Sequence, residues 1–233
     1  MKLEICTNSY QSAINAEKAG ADRIELCSEL SVGGITPSYG LLKKISEEIT
    51  IPINVLIRPR SGNFQYSEEE FSLMKENIKL CKELGFNGIV SGVLNIDNSI
   101  DIERTKKLIE LSKPLSFTFH RAFDCVENPK KALIQLIALG VDSILTSGLQ
   151  EKAENGIELL KELKEIAKGS LTILPGSGIN ATNAQLFKKA DFKEIHSSVS
   201  KAIATSSVFF DKTPQTVSEI KTIQEILKVI KNA

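Results

Sequence analysis

Side chains that can transfer protons stand at the ends of short apolar runs in this sequence. Glu25 lies within the run Ile24–Cys27, and His120 ends another run, four residues before Asp124. Because the ordinary pKa of histidine is close to neutral pH, His120 is a candidate acid or base, and Asp124 would orient its ring. The alternative for His120 is a fixed hydrogen-bonding role in the core. Glu25, His120 and Asp124 are therefore the candidate catalytic residues.

Arginines suited to holding an anion occur beside two of these runs. Arg58 and Arg60 flank a proline on a loop, and Arg121 directly follows the candidate histidine. A guanidinium group binds the oxygens of a phosphate or carboxylate in pairs, so these residues indicate a small anionic ligand. The alternative is that one of the first two arginines pairs with Glu4 or Glu25 inside the protein.

A glycine-rich turn, Pro175–Asn180, offers backbone N–H groups to the same kind of ligand. Glycines allow those groups to face an anion, and the helix predicted after the turn would present its positive N-terminus. The alternative is an ordinary tight turn. With the serines and the histidine that end neighbouring runs, the candidate phosphate-binding residues are Ser147, Gly176, Ser177, Gly178, His196 and Ser197.

The cysteines suggest a second kind of chemistry. Cys6 and Cys27 end the first two apolar runs. On adjacent strands, about 4.8 Å apart, their sulfurs would reach one soft ion, and thiolates select monovalent copper over harder metals. The alternative is a pair of small buried apolar residues. Cys81 falls in a helical pattern and is expected to pack, whereas Cys125 has no evident role.

The elements that must position these residues alternate along the whole chain. Short apolar runs predict strands, and the longer amphipathic segments between them predict helices, which begin near Ser9, Pro37, Ser67, Asp101, Asn128, Ala153, Ala181 and Pro214. The predicted strands are Leu3–Cys6, Ile24–Cys27, Ile53–Ile57, Gly88–Ser91, Leu115–His120, Ser143–Thr146, Leu171–Leu174 and Glu194–Ser197.

Eight strand–helix units without a linker predict an α/β fold. Units of this size favour a single-domain (β/α)8 barrel of the TIM type over residues 1–233, rather than an open sheet. The eighth unit is the weakest, because residues 200–215 are polar and irregular. In such a barrel the chemistry lies at the C-terminal ends of the strands, and the loops after strands seven and eight form the usual phosphate site.

The two-residue period of the strands predicts what fills the barrel interior. If the apolar residues face the helices, the alternate positions on five strands point inward, and nearly all of them are polar. A purely structural barrel would place Val, Ile and Leu there, so the pattern indicates a site. The inward residues are Glu4, Cys6, Glu25, Cys27, Asn54, Arg58, Thr118, His120, Glu194 and His196.

Composition narrows the classes of partner. The chain has 29 basic and 29 acidic residues, and this neutrality argues against nucleic-acid binding. No apolar run approaches the roughly 20 residues of a membrane span. The opening segment MKLEICTNSY lacks the apolar stretch of a secretory signal, so we expect a cytoplasmic protein. No motif for an organic cofactor is present, and a neutral surface fits a monomer or a homo-oligomer.

Several of these motifs occur together and in order. They are GADRIELCSELSVGGITPSYGLL at Gly20–Leu42, IRPRSGNFQYS at Ile57–Ser67, TFHRAFD at Thr118–Asp124 and LTSG at Leu145–Gly148, followed by PGSGIN and IHSS. In this set the chain resembles the CutC family, which is associated with copper homeostasis. The resemblance implies a TIM-type barrel, a cytoplasmic and often oligomeric protein, and copper(I) ligands at Cys6 and Cys27.

The sequence departs from the family pattern at two positions. The family commonly has a histidine within the third strand, where this chain has Asn54, and its glycine-rich turn usually has three glycines, whereas Ser177 takes the middle place here. The first difference leaves a metal or proton role at that position in doubt. The second still leaves backbone donors for an anion.

Two functions remain open from the sequence. One is a copper-homeostasis protein that binds copper(I) in the barrel. The other is an enzyme that acts on a small phosphorylated or carboxylated metabolite by isomerase, lyase or hydrolase chemistry at the barrel mouth. The first follows from the resemblance. The second follows from the carboxylate, arginine and histidine residues, because the binding of a soft metal does not explain their presence.

Overall fold

A barrel of eight parallel strands forms the centre of the protein, whose computed structural model describes residues 1–203 and 215–231. Each strand from β1 to β7 pairs with its neighbours in sequence, β8 pairs with β1, and β7 and β8 pack side by side. The predicted (β/α)8 barrel is confirmed, with a nearly closed wall. The strands are β1 Lys2–Thr7, β2 Arg23–Leu26, β3 Ile53–Leu56, β4 Gly88–Ser91, β5 Ser116–Phe119, β6 Ser143–Thr146, β7 Thr172–Pro175 and β8 Glu194–Ser197.

Five of the helices that surround the barrel start at a side chain that bonds one of the first free N–H groups of the helix. Ser67 and Glu70 bond each other's backbone N–H groups in a capping box, and Asn128 caps the helix that begins at Pro129, both as predicted. The helices are α1 Tyr10–Ala19, α2 Tyr39–Glu48, α3 Glu68–Glu83, α4 Ile102–Ser112, α5 Pro129–Leu139, α6 Ile157–Ala167, α7 Ala184–Lys189 and α8 Ile220–Lys231.

The last units differ most from the prediction. Helices α6 and α7 each begin three or four residues later than expected, and α7 has six residues. A two-stranded antiparallel ribbon, β9 Ser200–Ala202 and β10 Thr216–Ser218, precedes α8. The backbone of Thr216–Ser218 pairs with β9, so these residues do not extend the helix toward Pro214, which lies outside the described residues.

The strand period sorts apolar and polar residues as predicted. Alternate residues such as Ile5, Ile24 and Val55 are fully buried in one large apolar cluster with the helices. The polar residues between them meet inside the barrel, where Asn54 Nδ2 donates to Glu4 Oε2 across 3.3 Å. The interior of the barrel is therefore a compartment that holds these polar side chains beside a small separate cluster of Cys6, Cys27, Leu56 and Val90, and a larger apolar shell encloses it.

A network around Glu4 fills the lower part of this compartment. The Glu4 carboxylate accepts from Arg23 Nε at 2.5 Å and lies 2.8 Å from His196 Nδ1, while Arg23 Nη2 donates to Glu194 at 2.6 Å. Burial by itself would raise the pKa of Glu4, but the bond to His196 and the charge of Arg23 outweigh it and lower the pKa to about 2. Glu4 is therefore a buried, fully paired carboxylate.

Replacing Glu4 with glutamine should destabilise the protein in a pH-dependent way. Breaking one side of a buried charge network costs about 3–5 kcal/mol. Because the folded pKa of about 2 lies below the ordinary value of 4.5, the contribution of Glu4 is present above about pH 4.5 and is lost as the pH falls toward 2. Urea unfolding of the wild type and of Glu4→Gln should thus give free energies that converge at acid pH.

The matched control for this experiment is Glu76→Gln. Glu76 lies on the exposed face of α3 and pairs with Lys79, so its loss should change stability by less than about 1 kcal/mol at every pH. A Glu4→Gln deficit that stays constant from neutral to acid pH would contradict the role assigned to this carboxylate.

Close packing inside the barrel leads to a second prediction, at Gly88 of β4. A Cβ atom there would lie 2.2 Å from Asn54 Oδ1 and 2.4 Å from Ser116 Oγ. Gly88→Ala should therefore cost about 1–3 kcal/mol of unfolding free energy, as overpacking does. Gly40 in α2 is different, because a Cβ atom there would contact no described residue beyond its own turn of helix within 4 Å. Gly40→Ala should therefore be neutral or stabilising by up to about 1 kcal/mol. Equal effects of the two substitutions would disprove the steric argument.

Candidate metal and ligand site at the barrel mouth

A cavity of about 400 Å³ opens at the C-terminal ends of the strands. Five strands or the residues directly after them bring Cys6, Glu25, Arg58, His120 and His196 to its wall. The mouth of the barrel thus carries the polar side chains that the strand period placed there. The remaining lining residues are Leu30, Gly33, Leu56, Phe64, Arg121, Leu145, Ser177, Gly178, Ile179, Ser197, Ser198 and Ser200.

The two predicted metal ligands meet at the base of this cavity. Cys6 Sγ lies 3.6 Å from Cys27 Sγ and 3.6 Å from Glu25 Oε1. The register of β1 against β2 pairs Cys6 with Glu25, and Cys27 follows two residues later on the same face. The bond to Cys27, burial and the nearby carboxylates raise the pKa of the Cys6 thiol well above its ordinary value. Without a metal, Cys6 is therefore a protonated thiol at neutral pH.

An imidazole and a carboxylate adjoin the thiols. One ligand atom each from Cys6, Glu25 and His196 lies within 4.8 Å of the others. Burial and the charge of Glu4 raise the pKa of Glu25 to about 7 against the opposing effect of His196, and Glu25 Oε2 has no partner among the described residues. The strand period predicts that Glu25 and His196 point into the same interior as the cysteines, but neither was among the predicted metal ligands.

His120 also lines the cavity, and its imidazole ring is neutral. Its Nδ1 accepts the Ala122 N–H at 3.2 Å, so the proton of the neutral ring resides on Nε2, which has no partner among the described residues. Burial and the charge of Arg58 lower the pKa of His120 to about 3. Phe64 packs against the ring, with centroids 4.8 Å apart. His120 therefore presents a buried, unused N–H donor.

Asp124 has a different task from the one predicted. Its carboxylate accepts from Thr146 Oγ1 at 2.5 Å, from the Ser147 N–H at 3.1 Å and from Arg121 Nε at 2.7 Å. It makes no hydrogen bond with His120, whose Nδ1 bonds the backbone. The structure thus contradicts the predicted orientation of His120 by Asp124. Asp124 instead fixes the loop after β6. Its carboxylate oxygens accept hydrogen bonds from the Thr146 hydroxyl and from the Ser147 N–H, which is free at the end of the strand.

The two arginines of the predicted clamp lie in different places. Arg58 lines the cavity, but its Nη atoms donate to the carbonyl oxygens of Val32, Gly34 and Gly62, each at 2.8 Å. It joins the loops that follow β2 and β3. Arg60 bonds Glu70 Oε1 at 2.5 Å and is absent from the cavity wall. The expected pairing of Arg58 and Arg60 around one anion is therefore not formed.

The glycine-rich turn reaches the cavity with part of its backbone. Ser177 and Gly178 both have positive φ, 90° and 71°, and the N–H groups of Ser177–Ile179 have no acceptor among the described residues. The Gly176 N–H bonds Thr146 O at 3.0 Å, so Gly176 is used in the fold. The predicted contribution of a helix N-terminus is wrong, since α7 begins six residues after Gly178.

The remaining candidates lie around this turn. Arg121 lines the cavity, and its Nη1 and Nη2 atoms lie 3.4 Å from Ser177 Oγ and 3.0 Å from Ser147 Oγ. Ser147 itself is buried behind the wall, while Ser197 Oγ donates to Ile179 O at 2.5 Å. The lining residues Phe64, Ile179 and Ser198 were not among the predicted site residues. An aromatic side chain in a polar loop is the one signal in the sequence that could have indicated Phe64.

Comparison with known proteins agrees with this architecture. The model of the CutC family matches residues 1–201. A CutC family protein of Proteus mirabilis is 46% identical over 96% of this chain and 89% of its own, and one of Klebsiella pneumoniae is 49% identical over 84% and 79%. No helix among the described residues has both the length and the apolar composition that a bilayer crossing requires.

Solved structures give the same assignment. A structure described as a copper homeostasis protein CutC, from Streptococcus agalactiae, superposes with a TM-score of 0.81 at 35% identity, covering 85% of this chain and 98% of that one. Thiamine phosphate pyrophosphorylase from Pyrococcus furiosus, at 14% identity and a TM-score of 0.64, shares the fold alone. The family model, the relatives and the matching fold together show that this chain belongs to the CutC family.

Proposed function

We propose that the protein serves copper homeostasis by binding copper(I) as its cargo through Cys6 and Cys27. The observation that carries the proposal is the 3.6 Å separation of their sulfurs at the base of the cavity. Two strands bring these residues together, although they stand 21 positions apart in sequence. The names of the relatives and of the Streptococcus agalactiae structure support the same function.

The donor set fits a soft, singly charged ion. Thiolates are the side chains that select copper(I), and the imidazole of His196 is a further donor acceptable to copper. The carboxyl group of Glu25 adjoins Cys6, and because its pKa is about 7 it can ionise near neutral pH and then favours a cation over an anion there. A metal would displace the thiol proton of Cys6, since thiols bind metals as thiolates.

The surroundings of the cysteines restrict access to one direction. Cys6 lines the cavity, whereas Cys27 is fully buried behind it. A Cβ atom on Gly34 would lie 3.4 Å from Cys27 Sγ, so the loop after β2 covers that side. An ion would therefore approach from the barrel mouth, past Cys6. Cys6, Cys27 and Cys81 are buried free thiols, which supports placing the protein in the reducing cytoplasm.

Copper(I) titration under anaerobic, reducing conditions tests the proposal. With a chromophoric copper(I) chelator as competitor, the wild type should bind one ion per chain. The Cys6→Ser/Cys27→Ser variant should lose about a hundredfold or more in affinity, because hydroxyl oxygens are poor ligands for a soft ion. Serine preserves the size of both side chains, so the barrel should keep its circular dichroism spectrum.

Cys125→Ser is the matched control, since Cys125 is an exposed thiol outside the cavity wall. Its copper(I) affinity should equal that of the wild type. Equal affinity of the double variant and the wild type would exclude the two-thiol site, and a loss in Cys125→Ser would show that copper binds elsewhere.

A further inference from the structure

The wall of the cavity holds further polar groups, outside β1 and β2, that copper binding does not use. Cys6 and Glu25 belong to β1 and β2, whereas His120 follows β5 and the turn Ser177–Ile179 follows β7. In an eight-stranded barrel these two sets lie on different sides of the mouth. The side formed after β5 to β7 carries hydrogen-bond donors, while the side of β1 and β2 carries thiols and carboxyl groups.

We infer that this donor side binds a small phosphorylated metabolite, with the phosphate at the turn Ser177–Ile179 and an uncharged oxygen at His120 Nε2. The inference does not rest on the copper proposal. It assigns a ligand to the cavity from groups that face it and have no other partner among the residues the structure describes.

The turn provides the phosphate contact. Three successive residues of the turn line the cavity with backbone N–H groups that have no acceptor among the described residues, and free N–H groups of this kind can bind the oxygens of a phosphate. Arg121 adds a guanidinium group next to this surface, with Nη1 3.4 Å from Ser177 Oγ. Asp124 keeps Arg121 in place through a 2.7 Å bond to Nε, which leaves its Nη atoms directed to the turn and to Ser147.

His120 provides a second, independent contact. It is 4% exposed, its Nδ1 is occupied by the Ala122 N–H, and its Nε2–H has no acceptor among the described residues although the ring lines the cavity. Leaving a buried donor unsatisfied costs about 1–3 kcal/mol, a cost that a ligand oxygen would remove. Because the imidazole is neutral, it suits a carbonyl or hydroxyl oxygen rather than a second phosphate.

The dimensions limit the ligand to a small molecule. A cavity of about 400 Å³ is near the lower end of the usual range for ligand pockets, which is about 300–1,000 Å³. Leu30, Leu56, Phe64, Leu145 and Ile179 supply apolar wall between the polar groups. The ligand class is therefore a short-chain phosphate ester that carries a carbonyl or hydroxyl group a few atoms from the phosphorus.

Isothermal titration of the metal-free, full-length protein tests both contacts with two probes, inorganic phosphate and dihydroxyacetone phosphate. The wild type should bind the ester at least about tenfold more tightly than inorganic phosphate, because the ester also reaches His120. His120→Leu should bring the two affinities to the same value without changing that of inorganic phosphate. Both titrations contain no copper, which separates this result from the copper(I) experiment, and Cys125→Ser, whose thiol lies outside the cavity wall, should bind the ester as the wild type does.

The introduction of a negative charge at Ser198, which lines the mouth, tests the phosphate contact separately. Ser198→Asp should weaken the binding of both probes by about tenfold or more, because the added carboxylate repels the phosphate. Ser198→Asn introduces a neutral side chain of nearly the same size as aspartate and should leave both affinities close to wild type. Should His120→Leu fail to fold, the ¹⁵N signals of the two imidazoles in the wild type serve instead. Nε2 of His120 should then shift when the ester saturates the protein.

Three results would overturn the inference. The first is the absence of saturable binding of both probes at millimolar concentration. The second is equal affinity of the wild type for the ester and for inorganic phosphate, or an unchanged His120 Nε2 signal at saturation, either of which removes the contact to His120. The third is an equal effect of Ser198→Asp and Ser198→Asn, which removes the phosphate from the mouth.

Discussion

The buried carboxylate of Glu4 is the interaction on which the interior of this barrel depends. A polar interior is costly unless each charge has a partner, and Glu4 receives Arg23, Asn54 and His196 from three other strands. The bond to His196 Nδ1 also leaves the other ring nitrogen free for the cavity. A charge network at the closed end therefore neutralises the interior and at the same time orients one residue of the site above it.

Above this network, the cavity wall combines side chains that hold the loops with buried atoms that have no partner among the described residues, among them Arg58 Nε. Arg58 and Asp124 are bonded to several loop atoms each and hold the segments after β2, β3 and β6 in position. Glu25 Oε2 and His120 Nε2, by contrast, are buried and have no partner among the described residues. Both residues line the cavity, where a ligand atom would give each of them a hydrogen-bond partner.

The turn after β7 shows how the backbone serves the site in this chain. Ser177 adopts a φ of 90°, which glycine tolerates better than any other residue. The glycine that the family commonly has at this position is thus explained by conformation. Serine retains the free N–H and adds a hydroxyl that donates to Glu151 O at 2.7 Å, a bond that stabilises the strained turn against the loop after β6. Family pattern and local geometry agree here on a structural requirement.

The sequence by itself determined the order of strands and helices, the inward side of five of the strands and the position of both cysteines. These follow from local rules, since a two-residue period and a capping side chain act within one element. Tertiary structure alone decided which inward groups bond each other. Asp124 turned away from His120, Arg60 left the mouth for Glu70, and Glu25 and His196 joined Cys6, because such contacts depend on loop paths and on strand register between distant segments. In the last unit, β8 has the predicted bounds and α8 ends as predicted, but the helix begins at Ile220 and not near Pro214, because Thr216–Ser218 pairs with β9, a contact that no periodicity within either segment encodes.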